Sequence, residues 1–203
     1  MIVNIRGTSG SGKSTLVRNL MNILGGWRNL RTGHCVGSPN KAEYIESNNV
    51  LPLEGGKLYA VGDYSAQCGG CDGIKTQDEV CRRVRYLDYF GSPHTLFEGI
   101  LISSIYERYS TLLKDLGGVT AFLDTPLEVC IEHVRKRRVA SGVPADFDVA
   151  NTTNKWHLCR KISDKLIADG SKVVWLPWQT ADIALLQLLG ESTLAQELSQ
   201  KRY

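Results

Sequence analysis

Apolar residues recur along the chain in short runs, and each run is followed by a stretch with apolar positions at helical spacing. The runs suited to buried strands begin at Ile2, Leu58, Thr95, Val119 and Lys172. Strands that alternate with helices favour a parallel sheet with right-handed crossovers. The pattern therefore predicts an α/β fold, and no internal repeat or boundary divides residues 1–203, so a single domain is expected.

The helices are predicted from the same pattern. They lie directly after the first strand, at 77–90, at 103–116, after Pro126, at 155–169 and from 180 onward. Thr76 followed by Glu79 matches a capping box at the start of the second of these helices. Residues 31–36 carry a weaker strand pattern, and residues 140–153 have the composition of a flexible loop.

A glycine-rich segment joins the first strand to the first helix. Its sequence, Gly7-Thr-Ser-Gly-Ser-Gly-Lys-Ser14, fits GxxxxGK[ST] at every position, and a chance match in a turn is the alternative. Such a loop presents backbone amides and a helix dipole to phosphates. We expect Lys13 to act on the transferred phosphate and Ser14 to bind Mg²⁺. The predicted ATP-binding residues are Gly7, Thr8, Ser9, Gly10, Ser11, Gly12, Lys13, Ser14 and Thr15.

Two acids stand where predicted strands end, Asp63 and Glu98. Open parallel sheets bind ligands at the carboxyl ends of their strands. We predict Asp63 as the catalytic base and Glu98 as the acid of the magnesium shell, although the two roles are interchangeable at this stage. A helix cap or a solvated turn is the alternative for each. Asp124 also ends a strand, but it precedes a helix start, which favours capping.

A basic segment at residues 135–138 closes the helix after Pro126 and leads into the loop. Arginine in a mobile lid matches the spread charge of a transferring phosphoryl group. We predict Arg137 as a catalytic cation and Arg135 as a substrate contact. The alternative is a set of cations placed favourably at a helix C-terminus.

The segment Cys68-Gly-Gly-Cys71 raises a zinc hypothesis, with Cys81 and His94 as further ligands. A second paired spacing is absent, so a flexible substrate loop with two free thiols is the preferred interpretation. Beside it, Asp72 and Tyr64 are predicted to contact the phosphoryl acceptor.

The overall composition narrows the class of protein. Apolar residues make up 42% of the chain and charged residues 22%, with a net charge of +3, which permits an anionic partner without requiring one. No apolar run reaches the ~20 residues that a membrane helix needs. Six cysteines without a secretion signal are typical of reduced thiols, so a cytoplasmic location is predicted.

The phosphate loop, the strand-end acids and Leu123-Asp-Thr-Pro-Leu-Glu-Val-Cys130 running into the basic segment together resemble the nucleoside and nucleotide monophosphate kinase group. The resemblance implies a P-loop kinase with a five-stranded parallel sheet flanked by helices, an arginine-bearing lid and Mg-ATP. Within that group, Gly62-Asp-Tyr64 with Cys68-Gly-Gly-Cys-Asp-Gly-Ile74 is similar to phage kinases of thymidine hypermodification. Those enzymes phosphorylate 5-hydroxymethyl-deoxyuridine in DNA, which implies DNA containing 5-hydroxymethyluracil as the partner.

Two alternatives stay open. Nucleoside kinases usually carry a Glu-Arg-type pair where this chain has Asp63-Tyr64, which weakens a free deoxynucleoside or its monophosphate as acceptor without removing it. A P-loop ATPase or nucleotide switch is the rival from another class. A base in duplex DNA would have to be flipped out, and Tyr64, Lys155, Trp156 and Arg160 are the residues predicted to hold it, with core packing as the alternative for Trp156.

Cations at residues 82–85, 135–138 and 155–161 are expected to contact the DNA backbone. The sequence makes no prediction of the oligomeric state.

Overall fold

The computed structural model describes residues 1–24, 27–32, 42–47, 58–64 and 69–201. Its strands are β1 (Ile2–Arg6), β2 (Trp27–Thr32), β3 (Ala42–Ser47), β4 (Leu58–Val61), β5 (His94–Glu98), β6 (Val119–Asp124) and β7 (Val173–Pro177). Its helices are α1 (Lys13–Ile23), α2 (Gln77–Tyr89), α3 (Ile100–Ser104), α4 (Glu107–Asp115), α5 (Leu127–Ala140), α6 (Ala150–Ala168), α7 (Ala181–Leu188) and α8 (Ser192–Gln200). Short 3₁₀ turns at Cys71–Gly73 and Trp178–Thr180 precede α2 and α7.

The strands form one sheet in the order β2-β3-β4-β5-β1-β6-β7. The five strands from β4 to β7 in this order are all parallel, which confirms the predicted α/β fold and its parallel five-stranded sheet. β2 and β3 extend the β4 edge as antiparallel strands that the sequence did not predict. The strand expected at 31–36 begins earlier, at Trp27, and residues 33–36 lie outside the described part of the chain.

Helices cover both faces of the sheet. Alternate residues of β1 point to opposite sides, so Val3 and Ile5 pack in the cluster that includes α1, α7 and α8. Ile2 packs in the cluster of α2, α3 and α4 on the other face. β1 lies between β5 and β6, where the order of the parallel strands reverses. A crevice at the carboxyl ends of the strands is expected at such a switch point, and this places the end of β1 in it.

The helix predicted at 103–116 is interrupted. Ile105 has an extended backbone between α3 and α4. Its carbonyl accepts a hydrogen bond of 2.9 Å from Nη1 of Arg6, which is fully buried. A continuous helix would engage that carbonyl within itself, so the interruption leaves it available to the guanidinium. Burial also lowers the pKa of Arg6 to about 10.

Other boundaries follow the sequence with local corrections. Thr76 caps α2 by accepting from the backbone N–H of Glu79 at 3.1 Å, as predicted. α6 begins at Ala150 rather than near 155, which shortens the predicted loop. Asp124 does not cap α5, because Pro126 precedes that helix and the Asp124 carboxylate accepts from Arg160 at 3.1 Å. Within the described ranges, no helix is long and apolar enough to span a membrane.

Candidate active site

The phosphate loop (residues 7–14) lies at the end of β1. Gly10 has a φ of +79° and Gly12 a φ of +97°, a left-handed region that favours glycine. At Gly10 space is also decisive, because a Cβ there would lie 2.1 Å from the carbonyl oxygen of Cys130. Nδ1 of His133 lies 2.8 Å from the carbonyl oxygen of Gly10. Two positions on α5 therefore hold the middle of the loop.

Neighbouring elements fasten the rest of this loop. The hydroxyl of Thr8 donates to the carbonyl of Thr152 at the start of α6, at 3.1 Å. The hydroxyl of Thr125, after β6, donates to the carbonyl of Ser11 at 2.8 Å. Both hydroxyls are buried, so little competing water reaches these bonds. The loop is thus shaped before any nucleotide arrives.

Lys13 lies across the loop that precedes it. Its Nζ donates to the carbonyl of Gly7 at 2.9 Å and to that of Thr8 at 3.1 Å. The side chain is buried yet forms part of the cleft wall. The ammonium is therefore held at the place where the loop would surround phosphate oxygens.

Ser14 and Glu98 meet at the carboxyl end of β5. The hydroxyl of Ser14 donates to Oε1 of Glu98 at 2.8 Å. Burial raises the pKa of Glu98 to about 7, while the charge of Lys13 and the Ser14 hydrogen bond act in the opposite direction. A hydroxyl and a carboxylate in contact are oxygen ligands of the kind Mg²⁺ prefers, usually with substrate phosphates completing its shell. The predicted metal pair is brought together.

A glycine turn (residues 69–73) covers the other side of Glu98. Gly70 has a φ of +82°, and a Cβ on it would lie 2.4 Å from Oε1 of Glu98. The N–H of Gly70 donates to the carbonyl of Asp63 at 2.8 Å, which ties the turn to the end of β4. The Glu98 carboxylate is thus confined between the turn and Ser14.

The acids predicted for the acceptor side take different positions. Asp72 lines the same cleft as Ser14 and Glu98, and its Oδ1 accepts from the backbone N–H of Ile100 at 2.8 Å. Asp63 is exposed at the end of β4 and is not among the described residues that line the cleft.

Tyr64 lies in the core, only 1% exposed, and burial raises its pKa. Its position does not support the predicted substrate contact.

The phosphate loop, Glu98 and Asp72 line one cleft. Its volume is about 740 Å³, which is enough for a nucleotide with part of an acceptor. Beyond the phosphate loop it is lined by His133 and, after β7, by Trp178, Gln179 and Asp182. The rings of His133 and Trp178 lie edge to face, 6.2 Å apart. None of these residues was predicted from the sequence. For Trp178, Gln179 and Asp182, their place after the last parallel strand was a usable signal, since ligand sites gather at strand carboxyl ends.

The basic end of α5 divides into separate roles. Arg137 and Lys136 line the cleft, whereas Arg135 is exposed and does not line it, which does not support its predicted substrate contact. Arg138 donates to the carbonyl of Pro144 at 2.8 Å and so closes the following loop on itself. The catalytic role of Arg137 stays a prediction with a suitable position.

The cations of α2 are matched by nearby acids. Arg82 and Arg83 each lie 2.7 Å from Glu79, and Arg85 lies 2.6 Å from Asp115. Arg83 is also buried. All three guanidinium groups are engaged in ion pairs within the protein, so their positions give no support to the predicted contact with the DNA backbone.

On α6, Arg160 lies 3.5 Å from the ring centre of Trp156, whose indole N–H donates to Thr125 at 3.0 Å. Trp156 is half-buried and helps hold the residue that fastens the phosphate loop.

The zinc hypothesis rests partly on Cys68, which lies outside the described residues. Cys71 is buried, its thiol donates to the carbonyl of Val61 at 3.4 Å, and burial raises its pKa. Cys71 lies next to Glu98 at the end of β5, whereas His94 begins that strand, about 13 Å away along it. His94 is therefore distant from Cys71. Across the described positions, no three His, Cys, Asp or Glu side chains are grouped to hold a metal ion.

The sheet order and the phosphate loop at its switch point are consistent with a P-loop kinase fold. No family model matches it. It is 35% identical over 191 residues to a 5-hmdU DNA kinase of Pseudomonas phage PaMx11, which covers 93% of this chain and 96% of that protein. A 5-hmdU DNA kinase of Pseudomonas phage M6 is 30% identical over 208 residues, covering 93% and 98%. The chain belongs to the family of phage 5-hmdU DNA kinases and is a phosphotransferase.

A third relative is much longer than this chain, and only part of it matches. A 5-hmdU DNA kinase of Bacillus phage SP10 is 31% identical over 158 residues, which make up 73% of this chain and 22% of that protein.

Proposed function

We propose that this kinase transfers the γ-phosphate of ATP to the hydroxymethyl oxygen of 5-hydroxymethyl-deoxyuridine in phage DNA. The observation that carries the proposal is the 35% identity, over 93% of the chain, to a kinase named for that acceptor. The cleft is consistent with it, because the phosphate loop and the strand-end acid Glu98 open into the same space. A phosphoryl donor and an acceptor can therefore meet there.

The donor end fits ATP. Glycines at positive φ turn backbone amides inward, and the Lys13 ammonium is already held beside them. Trp178 and His133 also line the cleft and offer ring surfaces against which a nucleobase would lie. Lys13 and Arg137 would offset the negative charge that spreads over the transferring group. Within the described part of the chain, no acid pairs with Arg137, which leaves its guanidinium available.

The pair formed by Ser14 and Glu98 fits Mg²⁺. Both groups present oxygen, and their contact of 2.8 Å places them on one side of the cleft. A bound cation would favour the ionised form of Glu98, whose pKa burial raises to about 7. The chemistry supplied by the metal would be neutralisation of phosphate charge.

A DNA acceptor carries backbone phosphates, which bind to cations outside the cleft. Helix α6 carries such cations. Lys155 and Lys161 carry no ion pair among the described residues, in contrast to the arginines of α2. Thr152, one turn before Lys155, fastens the phosphate loop, so this end of α6 adjoins the site. We propose that these lysines contact the backbone of the DNA that delivers the base.

The test is a transfer assay with γ-labelled ATP. The acceptors are duplex DNA with 5-hydroxymethyluracil, the same duplex with thymine, and free 5-hydroxymethyl-deoxyuridine with its monophosphate. We expect label only in the first duplex, recovered after digestion as a phosphomethyl nucleotide. Label confined to the free compounds would establish the nucleoside or nucleotide kinase instead. Release of labelled phosphate without any labelled acceptor would support the ATPase alternative.

A further inference from the structure

Transfer to a hydroxyl requires a group that accepts the hydroxyl proton. The sequence pointed to Asp63, but that side chain is exposed outside the cleft wall. Its backbone is joined to the glycine turn through hydrogen bonds of 3.3 and 2.8 Å with Gly70. Asp63 is therefore well placed to shape the turn and poorly placed to reach a bound hydroxyl.

Asp72 has the placement that Asp63 lacks. It belongs to the glycine turn and lines the cleft together with Ser14 and Glu98. Its Oδ1 is held by the N–H of Ile100 at 2.8 Å. No described donor contacts its second oxygen, and the side chain is exposed to the cleft. One carboxylate oxygen is thus fixed, and the other is available to a ligand.

The surroundings of Asp72 keep the carboxylate in this position. A Cβ on Gly99 would lie 2.9 Å from its Oδ1, so the oxygen lies close against the backbone at the start of α3. Burial accounts for most of the rise in the pKa of Glu98, and the nearby charge of Asp72 adds to it. Asp72 and the proposed metal pair therefore belong to one site.

We propose that Asp72 is the general base of this kinase and accepts the proton of the acceptor hydroxyl. The proposal rests on the proposed function. As the hydroxyl O–H bond breaks, the proton passes to the free oxygen of Asp72, and the acceptor oxygen uses its electron pair to bond the γ-phosphorus. The bond from that phosphorus to the β–γ bridging oxygen breaks, and ADP leaves with the electron pair. Asp72 then returns its proton to solvent, to which it is exposed.

A merely structural role for Asp72 would consist of holding the N–H of Ile100. Asparagine preserves that role, because its side-chain carbonyl accepts the same hydrogen bond, but it cannot take a proton near neutral pH. Alanine removes both functions. The pair Asp72→Asn and Asp72→Ala therefore separates chemistry from support, and Asp164→Asn, at an exposed acid on α6 outside the cleft, is the matched control.

The experiment measures kcat and KM of these variants and of Asp63→Asn, on whichever acceptor the wild-type protein phosphorylates. We expect Asp72→Asn to lower kcat by about 10²- to 10⁴-fold, close to the effect of Asp72→Ala, with the KM for ATP unchanged. Asp63→Asn and Asp164→Asn should retain nearly all activity. Thermal unfolding of each variant checks that the fold is kept.

Three results would overturn the assignment. Asp72→Asn could keep wild-type kcat while Asp72→Ala loses it, which would leave Asp72 only the structural role. Asp63→Asn could be the variant that loses kcat, which would restore the prediction from sequence. Recovery of Asp72→Asn at high magnesium would move Asp72 to the metal site. Because the acceptor is chosen by the wild-type assay, failure of the DNA proposal is seen separately, as label on a free nucleoside.

Discussion

The two ends of the cleft are built in different ways. The donor end consists of the phosphate loop, eight consecutive residues that Thr125 after β6, His133 on α5 and Thr152 on α6 hold through hydrogen bonds. The acceptor end combines the glycine turn with the end of β5 and the start of α3, which lie about 25 residues further along the chain. The donor end is thus specified locally and the acceptor end by tertiary packing. Glu98 is where they meet, because it contacts Ser14 on one side and Gly70 on the other.

Loss of the donor charge should have the largest effect. We expect Lys13→Ala to lower kcat by about 10³-fold, because this ammonium is held within the phosphate loop, where phosphate charge develops. Lys136→Ala, at a cleft lysine whose side chain is 72% exposed, is the control and should change kcat less than about tenfold. The measurement is single-turnover transfer at saturating Mg-ATP. Normal turnover in Lys13→Ala would remove the phosphate-loop assignment.

A substitution in the glycine turn can disturb Glu98, the residue at which the two ends of the cleft meet. Gly70→Ala adds a Cβ 2.4 Å from Oε1 of Glu98 at a φ of +82°, so the carboxylate or the turn must move. We expect kcat to fall by about 10²-fold and the magnesium requirement to rise. Gly73→Ala in the same turn is the control, because a Cβ there meets nothing within 4 Å. Equal effects of the two changes would show that Glu98 is not confined by Gly70.

The burial of Glu98 can be measured without any substrate. Burial raises its pKa from 4.5 to about 7 in the metal-free protein. Between these values the folded protein keeps a proton that the unfolded chain has lost, so the free energy of unfolding falls as pH rises. The wild type should lose roughly 3 kcal/mol from this residue between pH 4 and pH 8.

Glu98→Gln has no such proton, so its stability should exceed that of the wild type increasingly toward pH 8. Urea unfolding of both proteins in chelator across this range gives the difference. Parallel pH curves would mean that the carboxylate is not buried in this way.

The smallest effect is expected at Trp178, which lines the cleft beside the phosphate loop. Trp178→Ala should raise the KM for ATP about tenfold and leave kcat nearly unchanged, since a ring that stacks on a base contributes on the order of 1–3 kcal/mol. Trp175→Ala is the control, because Trp175 stacks on Phe122 outside the cleft. An unchanged KM in Trp178→Ala would place the nucleobase elsewhere.

The position of the donor end was easier to predict from the sequence than that of the acceptor end, because the first is a continuous segment and the second is assembled by tertiary packing. The phosphate loop is a run of neighbouring residues, so its sequence pattern predicted its position and that of Ser14, the proposed magnesium ligand. Asp63 looked like an active-site acid because it follows a strand, but it lies outside the described cleft lining, whereas Asp72 in the glycine turn lies within it. Which of the two acids lines the cleft depends on how the glycine turn packs on Glu98, which no local pattern encodes.

The fold shows the same division. The five parallel strands are short apolar runs that the sequence reveals directly. β2 and β3 lie in a stretch rich in Gly, Asn and Pro, where pairing with β4 overrides weak local preference. The break between α3 and α4 involves Arg6, a residue about a hundred positions away, so helical spacing alone predicted one helix.

The contact between Gly70 and Glu98 has a thermodynamic consequence. There is no room for a Cβ between them, so the glycine turn cannot move toward the carboxylate without displacing it. An acceptor that repositions the turn therefore changes the affinity of Glu98 for a cation. Linkage makes this coupling reciprocal, so the cation must change acceptor affinity by the same factor. The order in which the two ligands bind is then free to vary with their concentrations, while their cooperativity is set by this packing.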